Sequence, residues 1–316
     1  MIVIPGEKAF PASPATIILG CETSVLTAPV WVAESKGYFY DNHLDVRIKP
    51  FESGKASLHS MLTNHDVDIC TVAQTPIMFS SFQRNDFGII AAMVTSTQDI
   101  KVVGDKRQGI FTPKDLIGKT VGVTKGSTSQ FFLNAFLINL LINPSLVKER
   151  DFSPTKLPHA LLNKEVCAIC IWEPHALTAK ELTGPNGIVL PSLDVYREDF
   201  YFVTTQAIKN EKRKTLEAFL SAILQAQQFI AKNSSQAMDM VSKRLNFKRE
   251  VIEKIWGEYR FELMLDQSII VTLEDEAKWA IASKLVDKSM VPNYLKYIYA
   301  EPLKQVFPEN VEIISK

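Results

Sequence analysis

Short β-branched runs alternate with helix-period segments through most of this chain, and that alternation limits the folds open to it more than any other feature. TIILGC (16–21), LDVRIKPF (44–51), VDICTVA (67–73), GIIAAMV (88–94) and IKVVG (100–104) read as strands. Between them, APVWVAESKGYF (28–39) reads as a helix stopped by Gly37 in a left-handed cap, Ser53-Gly54 opens a helix near 55–63, and Pro76 starts another. A second series begins near TPKDLIGK (112–119), with strand 120–124, helix 129–142, a helix near 155–164, strand 166–171, a helix from Pro174 and strand GIVL (187–190). The pattern predicts an α/β fold with largely parallel sheets. From about residue 207 the character is helical: Leu216, Phe219, Leu220, Ile223 and Leu224 share one face, and further helices follow near 235–245, 248–257 and 272–287.

With 316 residues, 46% of them hydrophobic, the chain can bury a sizeable core and is long enough for two lobes. Its 35 basic and 35 acidic residues cancel, so it lacks the cationic surplus of a nucleic-acid binder, and it has no low-complexity block of the kind that forms disordered tails. The longest apolar stretch, FFLNAFLINLLI (131–142), carries Asn134 and Asn139 and is too short for a bilayer. The first residues, MIVIPGEKAFPASPA, have no basic n-region and are broken by Pro5, so they do not read as a signal peptide; Pro5, Pro11 and Pro14 predict an extended leader. The expectation is a cytoplasmic protein, or an exported one whose leader has been trimmed.

Cys21, Cys70, Cys167 and Cys170 all fall in predicted strands. Residues three apart on a strand point to opposite faces, so the CAIC pair at 167–170 is not placed to share a metal or a bridge, and the four read as small buried thiols. His43, His59, His65, His159 and His175 show no ligand spacing. No metal and no cofactor is expected, and G-x-S-x-G, H-E-x-x-H and G-x-G-x-x-G are all missing. GKT at 118–120 echoes a phosphate-binding loop, but Pro113 stands where that loop needs glycine, and a strand follows instead of a helix.

The stretch KGSTSQFFLNAF (125–136) is more informative. Ser127 and Gln130 fit a capping box, and the helix behind them is apolar nearly all round, as in a buried helix. Gly126 would let a ligand approach the backbone, and the hydroxyls of Ser127, Thr128 and Ser129 would join free amides that attract negative charge. An ordinary capped helix fits the same residues. In IWEPHALTAKEL (171–182), Trp172 and Glu173 sit where a strand gives way to a helix, with Pro174 suited to its first position. The indole could stack on a flat ligand and the carboxylate accept hydrogen bonds; a packed, capped helix is the other reading. Glu22, Thr23 and Ser24, then Ser53 and Gly54, then Gln74 and Thr75 occupy equivalent turns after the first three strands, so small polar groups recur at strand carboxyl ends, where α/β sheets bind ligands.

Taken together, APVWVAESKGYFYDNHLDV, KTVGVTKGSTSQFFLNAFL and WEPHALTAKEL resemble the nitrate/sulfonate/taurine-type solute-binding proteins of ABC transporters, over roughly residues 15–310. The resemblance implies a type 2 periplasmic-binding-protein fold: one discontinuous lobe from 1–104 and 201–316, an inserted lobe from 105–200, and a two-strand hinge near VGDKRQG and EDFYFVTT. It implies a monomer outside the cytoplasm that closes on a small molecule and is sensed by a membrane permease. The ligand would touch Glu22, Thr23, Ser24, Ser53, Gly54, Gln74 and Thr75 from one lobe, and Gly126, Ser127, Thr128, Ser129, Trp172 and Glu173 from the other. Lys125 is the nearest basic group for an anionic ligand. If Glu22 and Glu173 both face inward they would repel an oxyanion and favour a neutral or cationic flat molecule such as an aminopyrimidine thiamine precursor. The fungal thiamine-pyrimidine synthases share this fold, but the resemblance implies that they need a pyridoxal-phosphate lysine and a cysteine-rich metal motif that CAIC does not supply. A ligand-sensing module of a signalling protein is the remaining alternative.

Overall fold

A computed structural model describes residues 13–192 and 196–314. The expected leader prolines Pro5 and Pro11 lie outside the described residues; Pro14 immediately precedes the first strand. Ten strands are described: β1 (Ala15–Glu22), β2 (Leu44–Phe51), β3 (Ile69–Ala73), β4 (Phe87–Ser96), β5 (Ile100–Asp105), β6 (Thr120–Val123), β7 (Lys148–Asp151), β8 (Ala168–Trp172), β9 (Gly187–Val189) and β10 (Glu198–Thr205). They form two five-stranded sheets, ordered β2-β1-β3-β10-β4 and β7-β6-β8-β5-β9. In the first, β1 runs parallel to β2 and β3, and β10 is antiparallel to β3 and β4. The second repeats the scheme, with β6 parallel to β7 and β8, and β5 antiparallel to β8 and β9.

The two sheets have separate cores. One apolar cluster runs from Ile17 to Val94 and resumes from Phe200 to Leu303; the other lies between Ile100 and Tyr196. Each lobe therefore buries its own apolar surface. The chain passes between lobes twice, at 97–99 and between β9 and β10. Both passages fall a few residues from the expected hinge. VGDKRQG lies at and beyond the end of β5 inside the second sheet, and EDFYFVTT is β10, fully paired in the first. The crossing lies in the polar residues Thr97, Gln98 and Asp99, between the two stretches read as separate buried strands.

The residues after 207 wrap the first lobe. Leu216, Phe219, Leu220 and Ile223 of the helix Arg213–Lys232 are buried there, with Leu224 half-buried. The segment 260–264 adds backbone hydrogen bonds along the free edge of β4, including Ala92 N to Met264 O at 2.9 Å, which closes that edge to further pairing. Cys21, Cys70 and Cys170 lie in β1, β3 and β8 and are buried, while half-buried Cys167 just precedes β8; all four are free thiols. Among the described residues no helix is long and apolar enough to cross a membrane.

Candidate functional site

The carboxyl ends of β1, β3, β6 and β8 meet across the gap between the lobes. A small cavity there is lined by Glu22, Leu26, Ser53, Gly54, Lys55, Ala73, Pro76, Glu198 and Phe200 from one lobe and by Ser127, Thr128 and Trp172 from the other. It holds about 20 Å³ of space open to a water-sized body, room for a water or two. At that size the cavity does not accommodate a ligand of several heavy atoms. Two larger grooves, about 320 and 390 Å³, flank the helix Gly54–His59 at the rim.

Glu22 ends β1, is buried, and accepts the Gly54 amide through Oε2 at 2.6 Å. Gly54 leaves room for this: a Cβ there would lie 2.7 Å from the Val72 Cα. Ser53 lines the cavity while its Oγ caps the helix by accepting from Ala56 N at 3.2 Å. Thr23 is exposed and is not part of the cavity lining. Ser24 is buried outside the cavity lining; its carbonyl accepts from the Thr27 hydroxyl and the Trp31 indole. Gln74 and Thr75 are also buried behind the wall, with Gln74 Nε2 donating to Arg197 O at 2.9 Å.

On the second lobe, Ser127 and Thr128 line the cavity, whereas Gly126, at φ +67°, faces one of the rim grooves. Its amide is not free: it donates to Gln130 Oε1 at 2.9 Å. The expected reciprocal capping box is displaced by one residue at each end, because Ser127 Oγ accepts from Ser129 N while Gln130 reaches back to Gly126 instead of Ser127. Ser129 ties the helix start to the sheet, its Oγ accepting from Thr124 N at 3.1 Å and donating to Cys170 O at 2.7 Å. Trp172 lines the cavity with its ring edge-to-face against half-buried His175, whose pKa desolvation pushes down to about 4. Pro174 stands one place outside the helix His175–Thr183, after a cis Glu173–Pro174 peptide.

Glu173 does not line the cavity, so the expectation of two opposed carboxylates at Glu22 and Glu173 needs correction. Glu173 Oε1 takes a 2.7 Å ion pair from Lys101 and Oε2 accepts Leu177 N at 2.8 Å, so its charge is compensated. The carboxyl that joins Glu22 in the lining is Glu198, at the start of β10. Behind it lies Asp99, on the first passage between lobes, accepting from the Tyr259 hydroxyl at 2.5 Å. Burial and the nearby Asp99 push Glu22 up to about 8. Burial, opposed by hydrogen bonds from Glu198 and Tyr259, raises Asp99 to about 7, and Glu198 is raised by burial and by the charge of Asp99. The cation at the cavity is Lys55, not Lys125; its Nζ donates across the gap to Lys125 O at 2.7 Å.

Asp99, Lys101, Glu198, Phe200 and Lys55 were not marked by the sequence. A signal did exist for two of them: Asp99 is the last polar residue between two apolar strands, and Glu198 opens an apolar one. Among the described residues no group of three or more histidine, cysteine or carboxylate side chains is arranged to hold a metal.

The NMT1/THI5-like family model matches residues 26–237. A relative from Bacillus subtilis (strain 168), named as a binding protein without a stated ligand, is 26% identical over 285 residues, spanning 87% of this chain and 83% of its own. The taurine-binding periplasmic protein of Escherichia coli (strain K12) is 26% identical over 223 residues, 66% of this chain and 67% of that protein. The alkanesulfonate-binding protein SsuA of Xanthomonas axonopodis pv. citri, solved with MOPS bound, superposes with a TM-score of 0.78 at 16% identity, over 92% of this chain and 100% of that one. That likeness places the two mixed sheets in the type 2 periplasmic-binding-protein fold.

Proposed function

The chain belongs to the NMT1/THI5-like family, and from that premise we propose that it is the solute-binding component of an ABC import system, a monomer outside the cytoplasm that binds without turning its ligand over. The observation that carries this reading is the cavity lined from both lobes at the carboxyl ends of their strands. Separate cores on either side of two short passages suit rigid lobes that open and close, and the closed form would be what a permease senses.

For the ligand we favour a flat, donor-bearing molecule, with an aminopyrimidine thiamine precursor as the working choice over a sulfonate, taurine or nitrate. Glu22 and Glu198 supply acceptors, Trp172 and Phe200 supply aromatic surface, and the only cation in the lining, Lys55, is occupied by Lys125 O. Calorimetry against an aminomethylpyrimidine, taurine, methanesulfonate and nitrate tests this. Saturable binding of the pyrimidine supports it; tight sulfonate binding with none of the pyrimidine reverses the ligand choice, and silence across the panel removes the support for a transport role in this class.

A further inference from the structure

The acidic cluster behind the cavity contains more negative groups than its cation can balance. Five carboxyls gather there: Glu22 from β1, Asp99 from the first passage, Glu173 ahead of the helix His175–Thr183, Glu198 from β10, and Glu258 beyond the helix Arg249–Trp256. Lys101 of β5 faces them with one ammonium, already shared between Glu173 at 2.7 Å and Glu258 at 2.7 Å. The other groups turned toward the cluster are neutral: the Tyr259 hydroxyl on Asp99, the Thr128 hydroxyl near Glu198, and His175 against Trp172. Lys55 lines the cavity beside Glu22 and Glu198 but donates to Lys125 O, and Asp99 feels only the charge of Lys101, so the carboxyls still outnumber the cations.

Asp99 and Glu198 are 1% and 3% exposed, and each keeps an oxygen, Asp99 Oδ2 and Glu198 Oε2, with no hydrogen-bond partner among the described residues. Asp99 stands on the first passage between the lobes, while Glu198 opens β10 opposite Ser96 and lines the cavity. Neighbouring carboxylates cut off from water do not all stay ionised; one keeps its proton. We propose that Asp99 and Glu198 share a proton in the empty cavity and exchange it for the positive charge of the ligand, which makes Glu198 the residue that selects a cationic donor such as an ammonium or amidinium over an oxyanion. In that exchange the carboxyl O–H breaks, the proton leaves to solvent, and the ligand's N–H⁺ takes its place at Glu198, with no redox change. The assignment rests on the solute-binding reading above and deepens it.

Two measurements test it separately. Infrared spectra of the ligand-free protein at pH 7 should show a protonated-carboxyl C=O band that weakens in both Asp99→Asn and Glu198→Gln. A wild-type spectrum without the band overturns the shared proton whatever the variants do. Calorimetry with the protonated aminomethylpyrimidine and with methanesulfonate, each in two buffers of different ionisation enthalpy, then reads the exchange. The amine should bind with proton release, and Glu198→Gln should weaken it by about 10- to 100-fold, the range for a hydrogen bond to a charged group, while abolishing the release. Amine binding without release, unchanged affinity in Glu198→Gln, no amine binding at all, or sulfonate binding with proton uptake would each refute the proposed selectivity. In the last case the solute-binding reading stands and only this inference falls.

Discussion

Glu22 Oε2 and the Gly54 amide lie 2.6 Å apart, joining the end of β1 to the first turn of the helix Gly54–His59 on the cavity wall. The bond depends on the helix lying almost against β3, where a Cβ on Gly54 would meet Val72 Cα at 2.7 Å and Thr71 O at 3.0 Å. Both are backbone atoms and cannot swing aside. Gly54→Ala is expected to cost about 1–3 kcal/mol by overpacking and to lengthen the bond to Glu22. The midpoint of urea unfolding checks the first effect, and a midpoint within error of wild type would contradict it.

The same carboxyl makes stability depend on pH. Glu22 has a folded pKa of about 8, above the 4.5 of an ordinary glutamate, and Asp99 and Glu276 shift the same way, to about 7 and 8. The folded state therefore holds more protons than the unfolded one between those limits, so stability falls as pH rises from about 4.5 through 8. His175 acts on the other side. Its folded pKa of about 4 lies below the ordinary 6.5, so stability falls as pH drops from 6.5 toward 4. With three raised carboxyls against one histidine, melting temperature should fall as pH rises from about 4.5 to 8, and Glu22→Gln should make that fall shallower. A variant that melts in parallel with wild type above pH 6 would contradict the assignment.

Local elements of the first lobe were legible in the sequence. β2 covers the stretch read as an alternating strand, and Gly37 stops its helix at φ +76°. Both are local matters, set by side-chain period and by the conformational freedom of glycine. Pairing across the fold was not legible. Glu173 follows one apolar strand and Glu198 opens another, and only the positions of Lys101 and Leu177 decide that the first is compensated and the second is not. β7, spelled Lys-Glu-Arg-Asp, carries no apolar signal because it is a solvated edge strand held by its backbone bonds to β6.

Lys101 is the one cation that holds Glu173 and Glu258 together, and through them the second lobe to the segment after Trp256. Lys101→Met would leave buried Glu173 and half-buried Glu258 without their shared cation. The expected cost is about 3 kcal/mol, the lower end for breaking a buried pair by removing one partner. Adding Glu258→Gln should recover part of it, because one of the two stranded charges is then gone. Equal urea midpoints for the single and double variants would argue against mutual repulsion.

An aromatic contact joins the lobes beside the ion pairs and hydrogen bonds that also cross the gap, among them Lys254 to Glu181 and Tyr196 to Glu276. Phe131 of the inserted lobe packs edge-on against Trp279 of the helix Ser268–Ala282, ring centres 5.2 Å apart at 79°, and Lys55 reaches Lys125 O nearby. Phe131 belongs to the rim of the second core, where it also meets Tyr196 edge-on, while Trp279 packs against the first, so truncating Phe131 removes a bridge between cores at a small cost to the second. An aromatic pair contributes about 1 kcal/mol beyond the area it buries, so Phe131→Ala should shift the closed-to-open ratio about five-fold toward open. Small-angle scattering of the ligand-free protein should show a larger radius of gyration, with a melting temperature close to wild type. If the radius stays fixed while the melting temperature drops sharply, Phe131 is supporting the second core instead of bridging the lobes.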